Sequence, residues 1–151
     1  MEKTDIKFMK QALKEAQKAA LLDEVPVGCV IVKDGNIIAR GHNLKEKNSD
    51  PLAHAEIVAI KKATKKLDTW RLNECELYVT VEPCAMCAGA IMWSRFKRVI
   101  FGTYDIKGGA MGKTFNLFDQ KIVNHTPAVV TGVLEEECKA IIQEFFRNKR
   151  K

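Results

Sequence analysis

The apolar positions change their spacing several times along the chain, and each change marks an element. Between about Ile6 and Leu22 they recur at alternating steps of three and four (Ile6, Met9, Leu13, Ala16, Ala20), which is the stripe of an amphipathic helix. Lys7, Lys10, Lys14 and Lys18 fall between them on a solvated face, and Thr4 or Asp5 stands where a cap is needed. Pro26 ends the pattern, and Val27 to Val32 is a short continuous apolar run rich in β-branched residues, which predicts a buried strand with Cys29 as core filler. Asp34-Gly35 supplies a two-residue turn that accepts positive φ, and Asn36 to Gly41 returns as the antiparallel partner.

Residues 42–52 are polar and irregular, and a helix follows from about Ala53 to Lys66, with Pro51 at or just outside its first turn. This places His54 and Glu56 in the opening turn and turns Ile57, Ile60 and Leu67, with small Ala53 and Ala63, toward a sheet. After a loop holding Trp70 and Arg71, Leu77 to Val81 reads as a second buried strand and Cys84 to Ser94 as a helix begun after Pro83. That helix is apolar nearly all round, so both its faces should be covered, one by the sheet and the other by a body such as a second subunit. Val99 to Gly102 is a third strand, 103–117 a glycine-rich loop and Ala128 to Thr131 a last short strand. Leu134, Cys138, Ile141 and Phe145 define a final amphipathic helix that ends in the basic tail 147–151. The order predicts a single α/β domain over 1–151, one mixed sheet flanked by helices.

Composition narrows the setting. A chain of 151 residues, 46% hydrophobic and 29% charged, suits a globular domain. At this size folding buries roughly 68–70% of the unfolded surface, so a bound metal is not needed merely for stability and should have a chemical task. The charged start of the chain has no apolar run behind it, and no stretch approaches the roughly 20 apolar residues of a membrane span. Five cysteines, an odd number, argue for a reducing compartment, the cytoplasm, and against a disulfide framework. The net charge of +6 has the sign expected of a protein that meets phosphates, although solubility alone explains a charge of this size equally well.

The candidate chemistry sits in two short stretches, His54-Ala55-Glu56 and Pro83-Cys84-Ala85-Met86-Cys87. Residues three apart share a helical face, so Cys84 and Cys87 can grip one ion while Pro83 halts the helix and leaves its first N–H groups open. The dipole at that end favours thiolate. His54 and Glu56 point opposite ways in mid-helix and converge only on a centre beyond the helix end, so the spacing predicts two helix N-termini facing one metal. With His54, Cys84 and Cys87 as ligands, a zinc keeps its fourth position for water. Glu56 then serves as a proton carrier between that water, a ring nitrogen and a leaving amine. A Cys-x-x-Cys pair alone reads equally as a structural or redox motif. Together with His-x-Glu and the proline before the first cysteine, it matches the signature of zinc deaminases. Cys75 and Cys138 lack a spacing that would join them to a four-cysteine site and read as core; His42 and His125 read as loop residues, exposed or structural.

Beyond the metal motif the chain resembles the bacterial tRNA-specific adenosine deaminases of the cytidine-deaminase superfamily. The likeness runs through Glu24-Val25-Pro26-Val27-Gly28, His42-Asn43, Ala53-His54-Ala55-Glu56, Leu77 to Cys84, Met86-Cys87-Ala88-Gly89 and Phe145-Phe146. The resemblance implies a three-layer α/β/α sandwich with a five-stranded mixed sheet, a homodimer with one Zn2+ per subunit, and conversion of adenosine to inosine at the wobble position of a tRNA anticodon stem-loop. It also implies that Asn43 hydrogen-bonds the flipped base, with Ala55 a further substrate contact. Asp105 and Lys107 would touch the nucleotides around the base, and Phe145, Arg147 and Arg150 the anticodon loop.

Aromatics beside a basic tail suit a splayed single-stranded loop, although Phe145 and Phe146 also read as core, at least one of them. Guanine and deoxycytidylate deaminases of the same superfamily share the metal motif and are the nearest alternatives, whereas free-cytidine enzymes resemble a Cys-Ala-Glu pattern that this chain lacks. A non-catalytic RNA-binding module with structural zinc is the alternative of another class, and it has no use for Glu56.

Overall fold

The computed structural model describes residues 2–149. Helix α1 (Lys3–Leu21) starts ahead of the predicted stripe, and neither Thr4 nor Asp5 caps it; Glu2 is the N-cap and makes no side-chain capping bond. Asp5 is buried instead, where it accepts a hydrogen bond from the Tyr78 hydroxyl at 2.6 Å and pairs with Arg98 at 3.0 Å. The buried face of α1 is Phe8, Met9, Ala12, Ala16 and Ala19, with Ile6 and Leu13 only partly covered. The alanines select this face because they let the helix lie close to the sheet. A Cβ added at Gly28 would stand 1.9 Å from the Ala12 carbonyl.

Strands β1 (Gly28–Lys33) and β2 (Asn36–His42) form the predicted hairpin, and Asp34 and Gly35 take φ of 52° and 77°, as a turn positive at both central positions requires. A bulge interrupts the register between Ile31 and Val32. Strand β3 (Cys75–Val81) pairs antiparallel with β1 and parallel with β4 (Arg98–Thr103), and β4 pairs parallel with β5 (Ala128–Thr131). The five-stranded sheet runs β2-β1-β3-β4-β5.

Strand periodicity of two separates the layers. Cys29, Ile31, Leu77, Val79, Val99 and Phe101 face α2 (Ala55–Leu67) and α3 (Ala85–Ser94), while Val30, Val32, Tyr78 and Ile100 face α1 and α4 (Glu135–Lys149). The result is the expected three-layer α/β/α sandwich with a mixed sheet. Cys29, Cys75 and Cys138 are core, as predicted.

Helix α2 begins at Ala55 and not at Ala53, leaving Pro51 in the preceding turn. Its sheet-facing residues are Ala55, Ala59, Ile60 and Ala63, whereas Ile57 is only half-buried. Here too a glycine sets the approach: a Cβ at Gly41 would lie 2.5 Å from the Ala55 carbonyl oxygen and 2.8 Å from the Ala59 nitrogen. The glycine-rich loop after β4 is less irregular than predicted, with an isolated Met111–Asn116 bridge and a 3-10 turn at Leu117–Asp119. Among the described residues no helix is long and apolar enough to cross a membrane.

Candidate active site

His54 is the N-cap of α2 and Cys84 the N-cap of α3, so the two helix starts do face each other. Cys87 follows on the first turn of α3. The Cys84 and Cys87 sulfurs lie 3.6 and 3.7 Å from His54 Nδ1, and the three donor atoms fall within 4.8 Å of one another. One imidazole nitrogen and two sulfurs at this spacing are a donor set that fits a tetrahedral zinc with one position open.

The electrostatics support ligation. Cys84 is held well below an ordinary thiol, at about 4, chiefly by its hydrogen bond with Cys87 and further by His54. Cys87 is pushed in the opposite direction by sharing that proton and by burial. The bond to Cys84 raises His54, and ligation of a divalent ion by these three groups would be coupled to proton release. Glu56 stands outside the three-donor group and is buried at 4% exposure. Burial lifts its carboxyl to about 7.

A cleft of about 780 Å³ opens onto His54, Glu56 and Cys84, with Asn43, Lys45, Asp105, Phe145, Phe146 and Lys149 among its walls. Asn43 is fixed from both ends of its amide. Nδ2 donates to the Val25 carbonyl at 2.9 Å, and Oδ1 accepts the Ala55 N–H at 2.9 Å. One N–H and one lone pair are left over for a ligand. Ala55 is fully buried and gives its N–H to Asn43, so its place is behind the wall, holding Asn43.

Asp105 reaches the cleft, while Lys107 and Arg147 are exposed and outside its lining. Arg150 lies outside the described residues. Neither phenylalanine is core, contrary to the expectation for at least one of them. Phe145 is half-buried and Phe146 43% exposed, packed edge to face at 5.4 Å. The reason is that this end of α4 lies beside the end of α1, with Lys149 bonded to Asp23 at 2.7 Å, and not over the sheet.

His42 belongs to the end of β2 and not to a loop, with Nδ1 3.0 Å from Glu15 Oε1; His125 bonds the Phe96 carbonyl through Nε2 at 2.7 Å. Both are structural. Two buried carboxylates beside the cleft were not singled out by pattern. Glu24 accepts the N–H groups of Glu46 and Lys47 at 3.0 and 2.7 Å, pinning the segment that follows Asn43. Glu82 accepts those of Asp105 and Met111 at 2.9 and 3.0 Å. The only local signals are an acidic residue between Val81 and Pro83 for Glu82, and an acidic residue two positions before Pro26 for Glu24.

Comparisons with known proteins agree with this arrangement. A family model described as the cytidine and deoxycytidylate deaminase zinc-binding region matches residues 2–103. The tRNA-specific adenosine deaminase of Bacillus subtilis (strain 168) is 52% identical over 144 residues, 95% of this chain and 89% of that protein. A solved structure from work on A-to-I editing by tRNA:A34 deaminases at the wobble position of transfer RNA is 45% identical, with a TM-score of 0.85 over 89% of this chain and 97% of that one. The guanine deaminase from Nitrosomonas europaea is more distant, 27% identical with a TM-score of 0.78 over 91% of this chain and 81% of that one.

Proposed function

The chain belongs to the cytidine and deoxycytidylate deaminase family of zinc enzymes, and from that premise we propose that it hydrolyses adenosine to inosine at the wobble position of a tRNA anticodon. The observation that carries the reading is the pairing of a buried Glu56 with a three-donor group at an open cleft. A structural zinc site closes its coordination shell and needs no proton carrier beside it. Exposed Phe146 and half-buried Phe145 on the cleft wall, with Lys45 and Lys149, favour a splayed RNA loop over a free base, because such a surface offers stacking and phosphate contact together.

In this reading His54, Cys84 and Cys87 hold the zinc, which when bound supplies water acidic enough to act as a nucleophile near neutral pH. Glu56 takes one proton from the attacking water onto its carboxylate and passes it to N1 of the adenine ring. The second proton travels by the same carboxylate to the amine as the C6–N bond breaks, leaving a C6 carbonyl and ammonia. Asn43, held by Val25 and Ala55, uses its remaining N–H and lone pair on the flipped base. The segment with Asp105 and Lys107 contacts the neighbouring nucleotides. Phe145 stacks on the loop, while Arg147 and Arg150 meet phosphates.

The outer face of α3 is apolar and uncovered within one chain, with Trp93 60% exposed, and a second copy covering it gives a homodimer with one zinc per subunit. Residues 1–151 act as one catalytic domain. Free cysteines throughout suit the cytoplasm, where the tRNA resides.

The test is incubation of the zinc-loaded protein with a tRNA carrying adenosine at the wobble position, in parallel with free guanine, cytidine and deoxycytidylate. Inosine at that position is expected. Turnover of guanine beside an inert tRNA would overturn the substrate assignment.

A further inference from the structure

Glu82 stands between the last residue of β3 and the proline that precedes the first cysteine ligand; it shares the cleft lining with His54 and Cys84, and its carboxylate bonds the loop after β4. It is 4% exposed, and among the described residues it forms no ion pair. Its charge is met by backbone dipoles instead: Oε1 accepts the Asp105 N–H and Oε2 the Met111 N–H. Those two amides bracket the tight segment 105–111. The loop is shaped to receive the carboxylate, because a Cβ at Gly109 would fall 2.1 to 2.4 Å from its carboxyl atoms and one at Gly112 3.0 Å from Oε2. A neighbouring tie, from the Ala110 N–H to the Pro83 carbonyl at 2.8 Å, fastens the same loop to the same stretch.

We propose that Glu82 is a positioning residue that sets the spacing between the zinc donors on α3 and the Asp105 wall of the cleft. Glu82, Pro83 and Cys84 are consecutive, and the Ala110 N–H to Pro83 carbonyl bond fastens the loop to the same stretch, so the loop is tied to the ligand through a span of two residues. Asp105 is held twice over: its N–H is given to Glu82, and its own Oδ1 accepts the N–H groups of Lys107 and Gly108, both at 3.1 Å. Removing the carboxylate leaves the buried Met111 amide and the part-buried Asp105 amide without their acceptor and frees the loop to move its wall, while the His54, Cys84 and Cys87 donors keep their own helix ends. Binding of the nucleotides that flank the reacting base should therefore suffer more than the chemical step. The proposal rests on the deaminase reading above for its kinetic arm only.

The experiment compares zinc-loaded wild type with Glu82→Ala and the conservative Glu82→Gln, which keeps one acceptor oxygen. Kinetics are read on an anticodon stem-loop with adenosine at the wobble position, and amide hydrogen exchange is read on the same proteins without RNA. Glu82→Ala is expected to raise KM by at least about tenfold with kcat and zinc content held within about twofold, and Glu82→Gln to recover part of that loss. Exchange at Asp105 and Met111 should accelerate in the order wild type, Gln, Ala, with α3 unchanged. Unaltered KM, or unaltered exchange at those two amides, would overturn the proposal. Should Glu82→Ala fail to fold, Glu82→Gln alone decides by the same two readings. If wild type proves inert on the RNA, the substrate assignment falls while the exchange measurement still decides whether Glu82 holds the loop.

Discussion

Gly41→Ala adds one methyl group far from any reacting atom, and the structure says where that methyl must go. The nearest atoms are the Ala55 carbonyl oxygen at 2.5 Å and the Ala59 nitrogen at 2.8 Å, both backbone, so no side-chain rotation can make room. Reaching ordinary contact at 3.4 Å requires α2 and β2 to part by about 0.9 Å at Ala55. Ala55 lies between His54 and Glu56, so the displacement is delivered to both while Cys84 and Cys87, on another helix, stay in place.

Misplacement on the order of 1 Å is enough to lower activity about 100-fold. Overpacking costs about 1–3 kcal/mol, offset in part by the roughly 0.4–1 kcal/mol that replacing a glycine contributes through the unfolded chain. The expected result is therefore a kcat/KM near one hundredth of wild type at saturating zinc, with Tm lower by only a few degrees. The assay is inosine formation beside a thermal melt. A kcat/KM within twofold of wild type would refute the reasoning, because it would place the strain in the hairpin and not in α2.

Glu56→Gln should retain a full complement of zinc while activity drops by about 10²- to 10⁴-fold, and loss of the metal would show Glu56 to be a ligand. Tyr78→Phe removes the hydroxyl that donates to buried Asp5 but leaves Arg98 in place, so stability measured in urea should fall by about 1.5–3 kcal/mol with kcat unchanged; an unchanged urea midpoint would count against that network. Burial alone would raise the Glu15 carboxyl, but hydrogen bonds and charge from Lys18 and His42 bring it below its ordinary 4.5. A depressed carboxyl contributes stability above 4.5 that is lost as the pH falls through its folded value. Urea titrations across that range should accordingly show a steeper acid loss in wild type than in Glu15→Gln, and parallel curves would remove Glu15 from the account.

The elements that local rules describe were legible in the chain. The Asp34-Gly35 hairpin, the apolar runs of β3 and β4, and the metal donors at two helix starts all depend on neighbours a few residues apart. What escaped depends on partners far along the chain. Asp5 reads as a cap because its neighbours form a helix, yet it is recruited inward by Arg98, 93 residues away. The face of α1 combines Phe8 and Met9 with alanines admitted to the sheet by the missing side chain of Gly28, which local spacing does not reveal. Glu24 and Glu82 fall in stretches that carry the family resemblance, but what each holds depends on loops that fold over it from elsewhere in the chain. Phe145 and Phe146 follow an amphipathic pattern, but that end of their helix meets α1 and solvent instead of the sheet.

Helix α4 has one buried residue, Cys138, seated over Gly102, where a Cβ would lie 2.3 Å from its sulfur. Toward its end Ile141, Ile142 and Phe145 are only half covered, and the Lys149–Asp23 pair is exposed, a kind of contact worth about 0–1 kcal/mol. With so little burial, this helix is expected to open at a lower free energy than the sheet, which amide hydrogen exchange would read. The segment proposed to meet RNA can then be exchanged or remodelled with little penalty to the rest of the fold. New RNA loops become reachable by changes confined to the end of the chain, while the deaminating centre stays as it is.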